Sequence, residues 1–116
     1  MLNQEAQLDL MFHALADSNR RSILQQLGSG PQSVSDLARP LSMSLAGVVQ
    51  HVQILELSGL ISSSKVGRTR TCLLDHKALS EVEQWIAARQ SHVEHQLNRL
   101  DALLNATAIT NGGETK

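Results

Sequence analysis

Residues 33–61 read SVSDLARPLSMSLAGVVQHVQILELSGLI, and the spacing of capping and apolar residues in this stretch decides the fold. Ser33 provides a hydroxyl for a helix N-cap, and the carboxylate of Asp36 follows three residues later, a variant of the capping box. Pro40 cannot lie in a helix interior, so the helix that starts after Ser33 must be short. A tight turn over 40–43 then leads to a second capping hydroxyl, that of Ser44.

The second helix is predicted over about 44–58, because its apolar residues recur at helical spacing and Gly59 follows as a stop signal. Its predicted inner face consists of Val48, His51, Val52 and Leu55. Two short helices joined by a tight turn form a helix-turn-helix unit.

The periodicity changes after this unit. Residues 60–66 and 69–74 are rich in strand-forming residues, and Gly67-Arg68 lies between them. A glycine in the first position of a two-residue loop favours a type II′ hairpin turn. A hairpin directly after a helix-turn-helix defines a winged helix, so the predicted fold is mainly α with a small β-hairpin, the wing.

Two further helices are predicted before residue 33. Leu8, Met11, Phe12 and Leu15 form one face of the first helix. Asp17 or Ser18 can cap the second, whose apolar residues are Ile23, Leu24 and Leu27 and which Gly28 ends. Arg20 and Arg21 lie in the first turn of this second helix. The sequence leaves two interactions open for them, an ion pair with Asp17 and contact with DNA.

A long amphipathic helix is predicted from Lys77 to Leu104, about 42 Å in length. The rest of a chain of this size cannot cover such a helix, and its apolar stripe repeats with near-heptad spacing, which indicates pairing with a second copy. The predicted dimer interface consists of Leu8, Met11, Phe12, Val93, Leu97, Leu100 and Leu104. Residues 1–104 are therefore expected to form one DNA-binding and dimerisation domain, and 105–116 a disordered tail.

The composition limits the function classes. The chain has 116 residues, 41% of them hydrophobic, with no apolar run long enough to span a membrane and no secretory signal. Cys72 is the only cysteine, which fits a reducing cytoplasm. No glycine-rich phosphate loop, catalytic triad or metalloprotease helix is present, so an enzyme is not expected.

The net charge is −1, yet the charges are unevenly distributed. No acidic residue occurs between Glu56 and Asp75, whereas Lys65, Arg68 and Arg70 fall within the predicted wing. A basic tip on a nearly neutral body is a suitable electrostatic footprint for a nucleic acid.

These segments together resemble the ArsR family of winged-helix repressors. The resemblance is carried by FHALADSNRRSILQQL at 12–27, by 33–61 and by KVGRTRT at 65–71. It implies a homodimeric transcriptional repressor that binds double-stranded DNA, with an imperfect palindrome as operator because two recognition helices lie roughly 34–36 Å apart.

The resemblance also implies which residues contact DNA. Base-contacting positions of the family correspond to Leu45, Ala46, Val49 and Gln50, of which Gln50 can pair with adenine and the apolar ones can contact thymine methyls. For Val49 core packing is the alternative, and Gln53 either contacts phosphate or is solvated. Further phosphate or minor-groove contacts are expected from Ser42, Ser44, Lys65, Arg68 and Arg70.

The metal site of the founding family members uses a Cys-x-Cys pair, and the corresponding residues here are Ser33 and Ser35. We therefore expect no metal or other cofactor. A second family site lies on the last helix, where this chain has suitable residue types without the family's spacing: Asp75, His76, His92, Glu94 and His95.

Two alternatives to a metal-independent repressor remain open at this point. One is a metal-responsive repressor that uses histidine and glutamate of the last helix. The other is a winged-helix module that binds a protein. The sequence identifies no small-molecule effector, and it leaves Cys72 either a packing residue or a redox trigger.

Overall fold

The computed structural model describes residues 3–110. Its elements, in chain order, are α1 (Gln4–Leu15), α2 (Ser18–Leu27), β1 (Gln32–Ser33), α3 (Val34–Ala38), α4 (Leu45–Ser58), β2 (Ile61–Val66), β3 (Thr69–Leu74) and α5 (His76–Thr110). The predicted order of helices and hairpin is confirmed, and the protein is mainly helical with a small antiparallel sheet.

Side-chain caps start the two helices of the helix-turn-helix as predicted. The Ser33 hydroxyl accepts a hydrogen bond from the Asp36 N–H at 3.1 Å, and the Ser44 hydroxyl accepts one from the Gly47 N–H at 3.1 Å. Helix α4 ends at Gly59, which has φ +84°. This left-handed conformation suits glycine, which has no Cβ to clash with the backbone.

The wing consists of β2 and β3, which pair antiparallel from Ile61↔Leu74 to Val66↔Thr69. In the loop between them Gly67 has φ +63°, and Arg68 does not have a positive φ. This combination corresponds to a type II′ turn, as the sequence predicts. The strand order is β1-β3-β2.

Strand β1 was not predicted. It pairs with β3 through Gln32↔Cys72 and Ser33↔Thr71. Two residues are too few to show the alternation by which a strand is recognised in a sequence. Because Ser33 also caps α3, the start of the helix-turn-helix is bonded directly to the wing.

The chain divides into two units, one up to Val82 and one from Glu83 onward. The first unit contains the core, which draws on all four of its complete helices and on the sheet. Its most buried apolar residues are Met11, Ala14, Ile23, Leu27, Leu37, Val48, Val52, Leu55, Leu60 and Cys72. Leu8 and Phe12 of α1 pack partly against this core.

Helix α5 begins where the Asp75 carboxylate accepts a hydrogen bond from the Ala78 N–H at 3.0 Å. It continues to Thr110, beyond Asn105, so the prediction of a disordered segment from 105 is wrong as far as 110. The sequence there contains no glycine or proline before Gly112, and nothing stops the helix. The remainder of the predicted tail, 111–116, lies outside the described residues. Over 3–110, no helix combines the length and apolarity needed to cross a membrane.

Candidate nucleic-acid interface

Helix α4 presents an exposed outer face. Among the predicted DNA-contacting residues of this region, the exposed ones are Ser42, Ser44, Leu45, Ala46, Gln50 and Gln53. Val49 is only half-buried and packs against the core, so it contributes to both environments. His51 faces inward and is partly buried, in agreement with its predicted placement.

The wing carries its cations in an arrangement that follows from its strand register. Lys65 and Arg70 are direct cross-strand partners, and Arg68 lies in the turn between the strands. Like charges directly opposite each other on an antiparallel pair are destabilising. The three side chains are exposed, and within 3–110 none of them forms an ion pair with a carboxylate. An anion placed beside Lys65 and Arg70 would relieve their repulsion.

A cleft of about 670 Å³ separates the wing from the starts of α3 and α4. Its lining consists of Ser33, Val34, Ser35, Leu45, Val49, Lys65, Arg68, Thr69 and Arg70. The cleft therefore brings together five of the ten predicted DNA-contacting residues, namely Leu45, Val49, Lys65, Arg68 and Arg70. The wing and the exposed start of α4 form one continuous surface that is basic on the wing and apolar on the helix.

Arg20 fixes α4 against the first two helices. The side chain is 7% exposed. Its Nε donates to the Ala14 carbonyl at 2.8 Å, and its Nη2 donates to the His13 carbonyl at 3.1 Å. Its Nη1 lies 3.2 Å from Nδ1 of His51, which must accept because a guanidinium only donates. The last carbonyls of α1 and the middle of α4 thus share one buried cation.

The ion pair between Asp17 and the arginines, one of the two alternatives that the sequence left open, is not formed. Arg21, like Arg20, turns toward α1 and donates to the Leu15 carbonyl at 2.7 Å. Asp17 instead caps α2, accepting from the N–H groups of Asn19 and Arg20. The hydrogen bond from the Arg20 N–H in particular lowers the pKa of the Asp17 carboxyl, so the ionised cap persists to a lower pH than an ordinary aspartate would. Both arginines are therefore engaged at the end of α1.

Hydrogen bonds hold the C-terminal end of α4 at two points. The Gln7 amide donates to the Ser58 carbonyl, and the Ser58 hydroxyl donates to the Leu55 carbonyl at 2.6 Å. The Ser63 hydroxyl of β2 donates to the Glu56 carboxylate. These bonds hold α4 to α1 on one side and to the base of the wing on the other.

Cys72 lies on β3 with its side chain fully buried. Burial raises the pKa of its thiol, and the nearby Glu56 carboxylate raises it further. The thiolate, which is the reactive form, is therefore scarce at neutral pH.

We expect Cys72 in the native protein to react with iodoacetamide about 10²-fold or more slowly than in the denatured chain, because reaction requires the core to open. The measurement is alkylation at pH 7.5 followed by mass spectrometry, with the guanidinium-unfolded protein as control. Equal rates for the native and unfolded protein would contradict the buried placement.

The predicted dimer residues divide into three groups by exposure. Met11 is 2% exposed in the single chain, so its inclusion in the interface is wrong: it faces the core of its own protomer. Leu8 and Phe12 are half-buried. The four aliphatic residues of α5 are between 51% and 57% exposed: Val93, Leu97, Leu100 and Leu104.

The acidic and histidine residues of α5 do not converge in one chain. Within the part of the chain that the structure describes, no three His, Cys, Asp or Glu side chains are grouped as metal ligands. Asp75 has a structural role as the cap of α5, and His92, Glu94 and His95 are exposed.

Known proteins share this architecture. Residues 15–63 match a family model described as a helix-turn-helix domain. An ArsR family transcriptional regulator of known crystal structure is 41% identical, with a TM-score of 0.73 over 81% of this chain and 97% of that one.

Two relatives of known role are similar as well. The HTH-type transcriptional regulator Rv2034 of Mycobacterium tuberculosis is 38% identical over 62% of this chain and 67% of its own length. The transcriptional repressor SdpR of Bacillus subtilis is 28% identical over 66% of this chain and 84% of its own. These relatives are transcriptional regulators. The helix-turn-helix, the wing and the sequence identity to a member of known structure all indicate the same family. The chain belongs to the ArsR family of winged helix-turn-helix transcriptional regulators.

Proposed function

We propose that the protein is a homodimeric, metal-independent repressor that binds an imperfect palindromic operator in double-stranded DNA. The observation that carries this proposal is the wing, where Lys65 and Arg70 face each other beside the exposed start of α4. Such a pair is costly in the free protein and favourable beside a phosphate backbone. Repression is supported by the similarity to SdpR.

The proposed geometry places α4 in the major groove and the wing on the flanking backbone or minor groove. Leu45, Ala46, Val49 and Gln50 contact base edges. The Ser42 and Ser44 hydroxyls, Gln53 and the wing cations contact phosphates. The exposed aliphatic stripe of α5 supports dimerisation, since large apolar surfaces on soluble proteins mark association sites.

The function is tested by fluorescence anisotropy with the purified protein and DNA from upstream of its own gene. A scrambled duplex serves as control, and each titration is repeated at two salt concentrations with and without zinc. We expect specific binding that weakens with salt and does not respond to zinc. Loss of binding on zinc addition would contradict metal independence, and equal binding to both duplexes would contradict sequence-specific regulation.

The double variant Arg68→Gln/Arg70→Gln is expected to bind all DNA sequences more weakly and by the same factor, because phosphates carry no sequence information. The slope of log K against log salt should become shallower by about 3.6 for the dimer, since about 0.9 is lost for each phosphate contact and each of the two protomers loses two contacts. The measurement is anisotropy over a salt series. Lys77→Gln, an exposed cation outside the cleft, is the control, and an unchanged slope in the double variant would exclude the wing from the interface.

Gln50→Ala is expected to act differently from the wing variants. If Gln50 makes a bidentate contact with adenine, its loss removes about 1–3 kcal/mol of discrimination at one base pair and leaves the other positions unchanged. The measurement is competition binding with a set of single-base operator variants, with Gln53→Ala as the control on the same helix. A uniform loss across the whole set would show that Gln50 does not read a base.

A further inference from the structure

The cleft between the wing and the helix-turn-helix has two chemically different sides. The wing contributes the cations Lys65, Arg68 and Arg70, whereas the starts of α3 and α4 contribute the aliphatic side chains Val34, Leu45 and Val49. Ser35 and Thr69 add exposed hydroxyl donors. The cleft therefore offers a charged rim and an apolar wall at once.

The cleft is open to solvent along one side and is large enough to hold a small molecule. The volume of about 670 Å³ lies within the range of roughly 300–1,000 Å³ over which proteins bind organic ligands. Such sites combine a mainly apolar lining with a few polar groups that fix the orientation of the ligand.

A phosphate backbone uses only one side of this cleft. Phosphate oxygens take hydrogen bonds from cations and hydroxyls and gain nothing from aliphatic neighbours. Leu45 remains 54% exposed at the mouth, so an apolar group placed against it would remove apolar surface from water. Operator DNA would cover the apolar side with base edges, but in the free protein both sides are open to solvent, and a small occupant that satisfies both carries an anionic head and an apolar body.

We infer that the cleft binds a small amphipathic organic anion, with a carboxylate, sulfonate or phosphate head against the wing cations and an apolar body against Leu45 and Val49. The ligand neutralises the same three cations that DNA requires, so ligand and operator exclude each other. This regulatory consequence rests on the proposed DNA-binding function, whereas ligand binding itself does not.

The probe for the test is 1-octanesulfonate, titrated into the full-length protein by isothermal titration calorimetry at constant ionic strength. Methanesulfonate supplies the head alone, and octyltrimethylammonium supplies the same tail with the opposite charge. We expect one octanesulfonate per chain, bound at least about tenfold more tightly than either comparison compound, because the charge-assisted bonds and the apolar contact are both needed.

Two pairs of variants locate the site. Leu45→Ser should weaken octanesulfonate binding about tenfold, whereas Leu57→Ser, an exposed leucine on the same helix that does not line the cleft, should leave it unchanged. Arg70→Gln should weaken it similarly, with Lys77→Gln as its control. No binding, or binding that Leu45→Ser and Arg70→Gln leave intact, would overturn the inference.

A competition titration then tests the consequence for regulation. In the wild-type protein, octanesulfonate should displace labelled operator, and raising the operator concentration should raise the apparent dissociation constant of the probe. Binding of octanesulfonate without displacement of a bound operator would overturn mutual exclusion. Because the probe is measured without DNA and the operator without the probe, failure of ligand binding is distinguished from failure of the proposed function.

Discussion

Replacing Leu97 and Leu100 together by glutamate is expected to convert the proposed dimer to monomers and to lower operator affinity by about 10²- to 10⁴-fold. The two leucines are 54% and 51% exposed in the single chain, on the same stripe of α5. Complete burial of a leucine contributes about 1.5–3 kcal/mol, so covering the exposed half of each contributes roughly half of that, and each dimer would contain four of them. A carboxylate at these positions removes that contribution and adds repulsion between protomers.

The loss of DNA affinity follows from divalency. A dimer that holds one half-site presents its second recognition helix to the other half-site at a high effective concentration, and a monomer does not. The measurements are light scattering after gel filtration for the mass and anisotropy for operator binding. Among the described residues, none after Val82 belongs to the buried core of the first unit, so that unit should remain folded in the variant.

Ser91→Glu/Ala102→Glu is the matched control for this variant. At 100° per residue these exposed positions lie on the side of α5 opposite the leucine stripe, and the substitutions add the same charge. We expect the control to remain a dimer with unchanged operator affinity. If the leucine variant also remained a dimer, the stripe on α5 would not be the interface.

The second large effect is expected at Arg20. Arg20→Met should lower the free energy of unfolding by about 2–3 kcal/mol, because the Ala14 and His13 carbonyls and His51 Nδ1 all lose their donor in a buried setting. The measurement is urea unfolding at neutral pH, with all variants at one protein concentration, since association contributes to the apparent stability of a dimer.

Arg21→Met provides an internal comparison. Arg21 also bonds to a carbonyl at the end of α1, but in an exposed position where water can replace it. Its loss should cost less than about 1 kcal/mol. Equal effects at the two positions would show that burial of Arg20 is not what makes its bonds important.

The fold follows from sequence wherever a local signal determines it. Ser33 and Ser44 cap their helices, Gly59 ends α4 and Gly67 takes the turn conformation, because each acts on its own backbone neighbours. Strand β1 and the end of α5 were missed because no local signal marks them. A two-residue strand is defined by its partner, and the last turns of α5 contain no residue that signals either a stop or a continuation.

The site was predictable in its composition but only partly in its spatial arrangement. The exposed residues of α4 and the wing cations were identified from spacing and family resemblance. A two-residue loop at Gly67-Arg68 already fixes the register that places Lys65 opposite Arg70, whereas the role of Arg20 depends on which parts of α1 and α4 pack together. Met11 was assigned to the wrong environment because helical spacing identifies an apolar face without identifying what it packs against, the core of its own protomer or a partner.

The pairing of β1 with β3 has a consequence for how operators can diverge within this lineage. Because Ser33 both caps α3 and pairs with the wing strand, strand pairing helps to set the span from the helix-turn-helix, whose second helix is proposed to read the groove, to the wing tip. Surface substitutions leave that span unchanged. Descendants of this protein can therefore acquire new base preferences through side-chain replacements on α4, while the footprint of each half-site keeps an inherited, constant length.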